Sequence, residues 1–230
     1  MLMTGHAVNV DIFDFWADVS GDAHEHPADR DVLARSDHGF DLRCLPSNVD
    51  GRLKDAKLVL LFVNPGMDAV DLEEATDPAA QNKYREMRAG TRELRGAEDK
   101  SRAYKWLAPI TKDFGPWETV QHNTAVLNIA AYHSQAFKSP HMLAALPSCR
   151  VCLDWAQTVL FPQAEAGERV VICLRAARFW GLRNDRTRHF GRSLFAPSTL
   201  RNGQIRQTTD SERAERDTIV SAARAVLATG

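Results

Sequence analysis

Residues 57–66 read Lys57-Leu58-Val59-Leu60-Leu61-Phe62-Val63-Asn64-Pro65-Gly66. Six consecutive apolar residues rich in branched side chains, closed by a turn tripeptide, predict a strand buried on both faces, as in a parallel sheet covered by helices. Pro65 biases Asn64 away from helical angles, and Gly66 permits a tight backbone approach. The Asn64 amide is therefore expected to project from the carboxyl end of the strand, the end at which open α/β sheets bind ligands. Taken alone, Asn-Pro-Gly is also an ordinary turn signal.

Downstream, residues 67–100 are mostly charged or small, with only Leu72, Tyr84, Met87 and Leu94 to bury. A helical segment with a solvated face fits them. Residues 124–134 predict a second strand that ends in polar groups, with Asn128 as its polar exception. A buried Asn needs partners for its amide, so it is either a satisfied core residue or a ligand reader. Helical patterns after Ser139-Pro140 and along Cys152, Trp155, Ala156, Val159 and Leu160 lead to a third strand over 169–175. A helical turn ending at Gly181 and a weaker fourth strand over 188–195 follow. Thr209 and Glu212 have capping-box spacing at the head of a last amphipathic helix. Upstream, Ile12, Phe15, Trp16 and Val19 mark an amphipathic helix, and residues 21–46 read as an irregular loop with a helical turn near 31–36. Strands separated by helices imply right-handed crossovers. The expected fold is α/β, a three-layer α/β/α sandwich around a central, mainly parallel four-stranded sheet. One domain is expected over 1–230, with 1–50 as a helical and loop decoration.

The 230 residues carry 29 basic and 30 acidic side chains, so no global field draws the chain onto nucleic acid or an anionic membrane. No apolar run reaches membrane-span length, and the first residues lack the pattern of a secretory leader. A cytoplasmic monomer is expected. Cys44, Cys149, Cys152 and Cys173 are too scattered for a disulfide framework. Cys149-x-x-Cys152 lacks a second ligand pair, and Cys152 falls on an apolar stripe, so core packing accounts for it better than a metal. His24-Glu25-His26, followed by Pro27, reads as a solvated loop.

Four loops at strand ends are expected to converge: Asn64-Pro65-Gly66, residues 128–134, residues 175–179 and residues 196–201. In order and spacing they resemble the uracil-DNA glycosylase superfamily. Its members carry a strand ending in a G-x-[ND]-P loop, an Asn-bearing second strand, a third strand leading into a short helix, and an [HN]-P-S loop. The first motif is most similar to the mismatch-specific and thymine-DNA glycosylase branch, and the likeness spans residues 57–206. It implies that Asn64 holds the attacking water beneath the deoxyribose C1′, with Pro65, Gly66 and Met67 lining the substrate. It also implies that Asn128 reads the pyrimidine edge and that Pro197 and Ser198 clamp phosphate, with Thr199 beside them among the DNA-binding residues. Leu200 and Arg201 would fill the space left by a flipped nucleotide. The implied activity is hydrolysis of the N-glycosidic bond of uracil or a related deaminated or mismatched base in DNA, with no metal or organic cofactor.

Two positions depart from the pattern. Phe62 stands where the family has Gly, and Ala196 stands where it has the His or Asn that serves the leaving base. His133 or His189 would have to substitute as donor, and His133 is the candidate carried forward. Residues 175–206 hold eight arginines against Asp185 alone, a composition suited to phosphate contacts. Two other readings stay open. One is a catalytically inactive nucleic-acid binder of the same fold, and the other an enzyme for free nucleosides or nucleotides.

Overall fold

A computed structural model describes residues 10–35, 37–99, 103–183 and 192–229. Helices α1 (Ile12–Ala17) and α2 (Arg30–Arg35) precede strands β1 (Val49–Gly51) and β2 (Leu58–Phe62). Next come α3 (Ala69–Glu74), α4 (Pro78–Arg88), α5 (Ala103–Thr111) and α6 (Trp117–Asn123), then β3 (Thr124–Asn128) and α7 (Met142–Ala145). A helical rod follows, made of α8 (Pro147–Trp155), a π turn over Ala156–Leu160 and α9 (Phe161–Glu165). The chain ends with β4 (Val170–Cys173), a 3-10 turn (Ala177–Trp180), β5 (Leu194–Phe195) and α10 (Asp210–Leu227). The π turn has a local cause: Pro162 has no N–H, and the Thr158 hydroxyl donates to the Asp154 carbonyl at 2.7 Å.

The chain is α/β, but the expected four-stranded sheet is corrected to a mixed sheet of five, in the order β1-β3-β2-β4-β5. The β3-β2, β2-β4 and β4-β5 pairs are parallel, whereas β1 runs antiparallel to β3. Val49-Asp50-Gly51 was invisible to periodicity because it is three residues long and carries a carboxylate. Asp50 is tolerated in the sheet because the Arg95 Nε donates to it at 2.8 Å, with both side chains about nine-tenths buried. Gly51 adopts φ +102, and a Cβ there would sit 2.5 Å from the Thr124 carbonyl oxygen, so the edge strand passes too close for any side chain. The expected fourth strand is reduced to two described residues; 188–191 lie outside the described residues.

Leu58 to Leu61 are each 0% exposed because both faces of β2 are covered. Val59, Leu61, Ala125, Leu127 and Val171 pack with Ile12, Trp16, Trp155 and Phe161 on one side. Leu58, Leu60, Phe62, Val126 and Ile172 pack with Leu107, Val120, Ile219 and Ala223 on the other. A strand apolar on both faces could slip by one residue without exposing either, so its register is fixed at the ends. There the Trp180 Nε1 donates to the Phe62 carbonyl at 3.2 Å, and polar Asn128 lies opposite Phe62. The charge-rich segment 67–100 is less solvated than its composition implies. Asp71 and Arg88 are buried, and Arg88 donates to the carbonyls of Val19, Ser20 and Pro46, stitching the first fifty residues to α4. Among the described residues no helix is long and apolar enough to cross a membrane.

Candidate functional site

The loops after β2 and β3 run side by side past the sheet's carboxyl end. The Ala130 N–H donates to the Val63 carbonyl at 2.9 Å and the Ser134 N–H to that of Pro65 at 3.2 Å. Between them lies Asn64, half-buried, whose Nδ2 donates to the Pro65 carbonyl and the Ser134 Oγ, both at 2.8 Å, and to the Tyr132 carbonyl at 3.3 Å. Two of these partners are carbonyls that can only accept, so the orientation of the amide is fixed. Among the described residues nothing donates to the Asn64 Oδ1, which leaves it able to accept a hydrogen bond from a ligand or water. Gly66 is exposed, and a Cβ added there would meet nothing within 4 Å, which leaves the backbone open to a ligand.

His133 is 1% exposed. Its Nδ1 lies 2.6 Å from the Gly66 carbonyl, so Nδ1 carries the proton and holds the loop. Burial is the main cause that lowers its pKa to about 4, with the Arg95 charge acting in the same direction, so the ring is neutral at pH 7. The Asp71 carboxylate, 3.7 Å from Nδ1, is itself pushed above the usual carboxylate range by burial. Nε2 has no hydrogen-bond partner among the described residues. His189 lies outside the described residues, as do Arg186 and Arg188.

Asn128 ends β3 opposite Phe62, its backbone carbonyl accepts from the Cys152 thiol at 3.3 Å, and its side-chain amide bonds no described residue. Cys152 and Cys149 are buried free thiols, and burial raises both pKa values, consistent with packing. Among the described residues no His, Cys, Asp and Glu cluster could hold a metal ion.

Residues 199–205 form a hairpin through the Thr199–Ile205 bridge. Its base is held by the Thr199 Oγ1 on the Leu174 carbonyl (2.9 Å), its side by the Trp106 Nε1 on the Asn202 carbonyl (3.1 Å), and its tip by Arg175, which donates to the Arg201 carbonyl. Leu200 is 44% exposed at this tip. Phe62, the bulky replacement in the first motif, packs edge-on to Trp106 with centroids 4.8 Å apart. Ala196 is 3% exposed in the apolar core and presents no donor.

The structure thus joins Asn64, Pro65, Gly66 and His133 in one contact set and places Asn128 and the hairpin on either side of Phe62. Among the described residues no side-chain hydrogen bond links the two groups. A cleft of about 910 Å³ adjoins the first group, lined by residues 37–43, Met67, Ser134 and Lys138, without Asn64, Asn128 or the hairpin. Sequence reasoning missed Ser134, the Arg95 cluster and the wall from residues 37–48, where the Asp41 N–H donates to the His133 carbonyl at 2.9 Å. The signal for Ser134 was present as a polar residue at a strand-end loop. Nothing in the composition of 37–48 distinguishes a wall from a loop. The chain matches no family model, no curated protein and no solved structure.

Proposed function

We propose that the chain is a uracil-DNA-glycosylase-like hydrolase that releases uracil or a related deaminated or mismatched base from DNA by base flipping. The observation that carries this reading is the Asn64 amide, whose NH2 is spent on fixed loop acceptors while its Oδ1 accepts from no described residue. As the C1′–N1 bond breaks, its electron pair leaves with the base and the sugar gains oxocarbenium character. Water then bonds to C1′ through oxygen and loses its proton to solvent. An amide oxygen is too weak a base to take that proton, but it can orient the water by accepting one O–H, and orientation suffices when the electrophile is already cationic. Asn128 supplies the NH2 and C=O for the base edge. His133 contributes by fixing Gly66, and Pro65 with Met67 borders the sugar. Pro197 and Ser198 take the phosphate, Thr199 anchors that loop on the Leu174 carbonyl, and Leu200 with Arg201 enters the vacated stack.

The test is incubation with end-labelled oligonucleotides holding single U, G·U, G·T or hypoxanthine sites, followed by alkaline cleavage. Wild type is expected to yield nicks, and Asn64→Ala to slow them about a hundredfold. Equal rates for the two proteins would end the hydrolytic reading. The buried Ala196, which offers the leaving base no donor, favours the second reading of a non-catalytic DNA binder. That reading predicts retention of DNA at low salt with no base loss.

A further inference from the structure

Among the described residues the large exposed apolar side chains are Val10, Trp106 and Leu200, and the last two belong to one turn and its flank. The turn is Leu200 to Gly203, closed by the Gly203 N–H on the Leu200 carbonyl at 2.9 Å. Trp106, on α5, donates its Nε1 proton to the Asn202 carbonyl in that turn at 3.1 Å and packs on Phe62. It also lies against Gly203, where an added Cβ would come within 3.7 Å of the indole. One hydrogen bond and two packing contacts therefore hold the ring. The edge-to-face contact with Phe62 covers at most one face of it, and the residue stays 38% exposed. A lone exposed apolar residue needs no explanation, but a fixed indole beside an exposed leucine is a strip that folding has left uncovered. The charges on the two elements that form it have one sign. α5 carries Lys105 and no carboxylate, residues 199–206 carry Arg201 and Arg206 and no carboxylate, and all three cations are exposed.

We propose that Trp106 is a stacking platform for an unpaired nucleobase of bound DNA, the base displaced where Leu200 enters. This rests on the DNA-binding part of the glycosylase reading and not on hydrolysis. An aliphatic wedge parts two stacked bases, but it offers the displaced base no flat surface. An indole does, and because every base has a π face the contact tolerates any sequence. Lys105, Arg201 and Arg206 supply an attraction that phosphates reciprocate and that a second copy of this nearly neutral chain does not. The ligand is therefore a DNA strand with at least one base out of the helix.

The experiment compares binding of single-stranded oligothymidylate, which holds no deaminated base and no mismatch, with an oligonucleotide of equal length built from abasic units. The phosphates match and only the bases differ. Wild type is expected to bind oligothymidylate about tenfold more tightly, and Trp106→Leu to bring the ratio close to one while leaving affinity for the abasic strand unchanged. Trp106→Phe keeps an aromatic face and should retain most of the ratio. Equal affinities in wild type, or a ratio unchanged in Trp106→Leu, would overturn the proposal. In parallel, the Trp106 indole N–H resonance of the wild-type protein is followed while each oligonucleotide is added, a readout that needs neither a variant nor turnover. A shift with oligothymidylate and none with the abasic strand supports the platform even if Trp106→Leu disturbs the hairpin and loses both strands alike. The same response to both strands overturns it, as does a shift with protein concentration alone, which marks a contact between copies. Nicking of uracil oligonucleotides is scored separately. Its absence, with the tenfold ratio intact, removes the glycosylase reading and leaves Trp106 its role.

Discussion

Asn64 performs its proposed task only while its amide cannot rotate, and Ser134 is the side chain that helps to hold it. The Ser134→Ala change removes one of three acceptors and leaves the Pro65 and Tyr132 carbonyls in place. Base release is therefore expected to fall about tenfold, less than for Asn64→Ala, and the double variant should be no slower than Asn64→Ala. A double variant much slower than either single one would mean that Ser134 acts on its own. His133 makes a different prediction. Its folded-state pKa of about 4 lies below the unfolded value near 6.5, so in that window the unfolded chain binds the extra proton. Stability tied to this ring is full above pH 6.5 and is lost as pH falls toward 4, by about 3 kcal/mol in all. Asp71, raised by burial, acts in the opposite sense, since its protonation restores stability at low pH. In His133→Gln, which keeps a donor for Gly66 but does not titrate, urea denaturation between pH 6.5 and 4 should show a flatter acid limb. Parallel curves for the two proteins would contradict a buried neutral imidazole.

Among elements, legibility followed length and pattern. The strand at Lys57, its partners at 124 and 169, and the capping box of Thr209 and Glu212 were readable because each carries a periodic or positional signal. β1 was not, because its stability comes from contacts distant in sequence: Asp50 on Arg95 and Gly51 against Thr124. The hairpin at 199–205 was read as a functional loop, yet what shapes it, Gly203 beneath Phe62 and Trp106 beside Asn202, lies in other elements. Gly203 has φ +89, and a Cβ there would approach the Phe62 ring to 3.3 Å. The Gly203→Ala variant should lose about 1–2 kcal/mol in chemical denaturation, from the left-handed backbone and the crowded ring together. Its DNA affinity should fall further than that of Thr209→Ala. The latter removes a cap outside the hairpin, should cost about 1 kcal/mol in stability, and should leave binding unchanged.

For the molecule as a whole, four parallel strands with helices between them were deducible from alternating patterns, but the fifth strand and the strand order were not. Pairing an edge strand is a tertiary event, and a mixed sheet leaves no mark in local sequence. The site shows the same limit. Asn64 and Asn128 announce themselves as polar residues closing apolar strands, while Asn48 becomes conspicuous only when the fold places it opposite Asn128 with no side-chain hydrogen-bond partner among the described residues. Charge balance imposes a further constraint. With 29 basic against 30 acidic residues, any attraction to DNA has to be local. Arg192 and Arg201 are exposed, flank the last loop, and donate from their side chains to no described residue, whereas Arg206 donates to the Thr199 carbonyl. Each phosphate neutralised on a duplex contributes about 0.9 to the slope of log affinity against log salt concentration. Replacing Arg192 and Arg201 by Ala should therefore flatten that slope by about two while weakening binding to all sequences alike. An unchanged slope would place the DNA-facing surface elsewhere on the molecule, and Leu200 could then no longer be the residue that enters the stack.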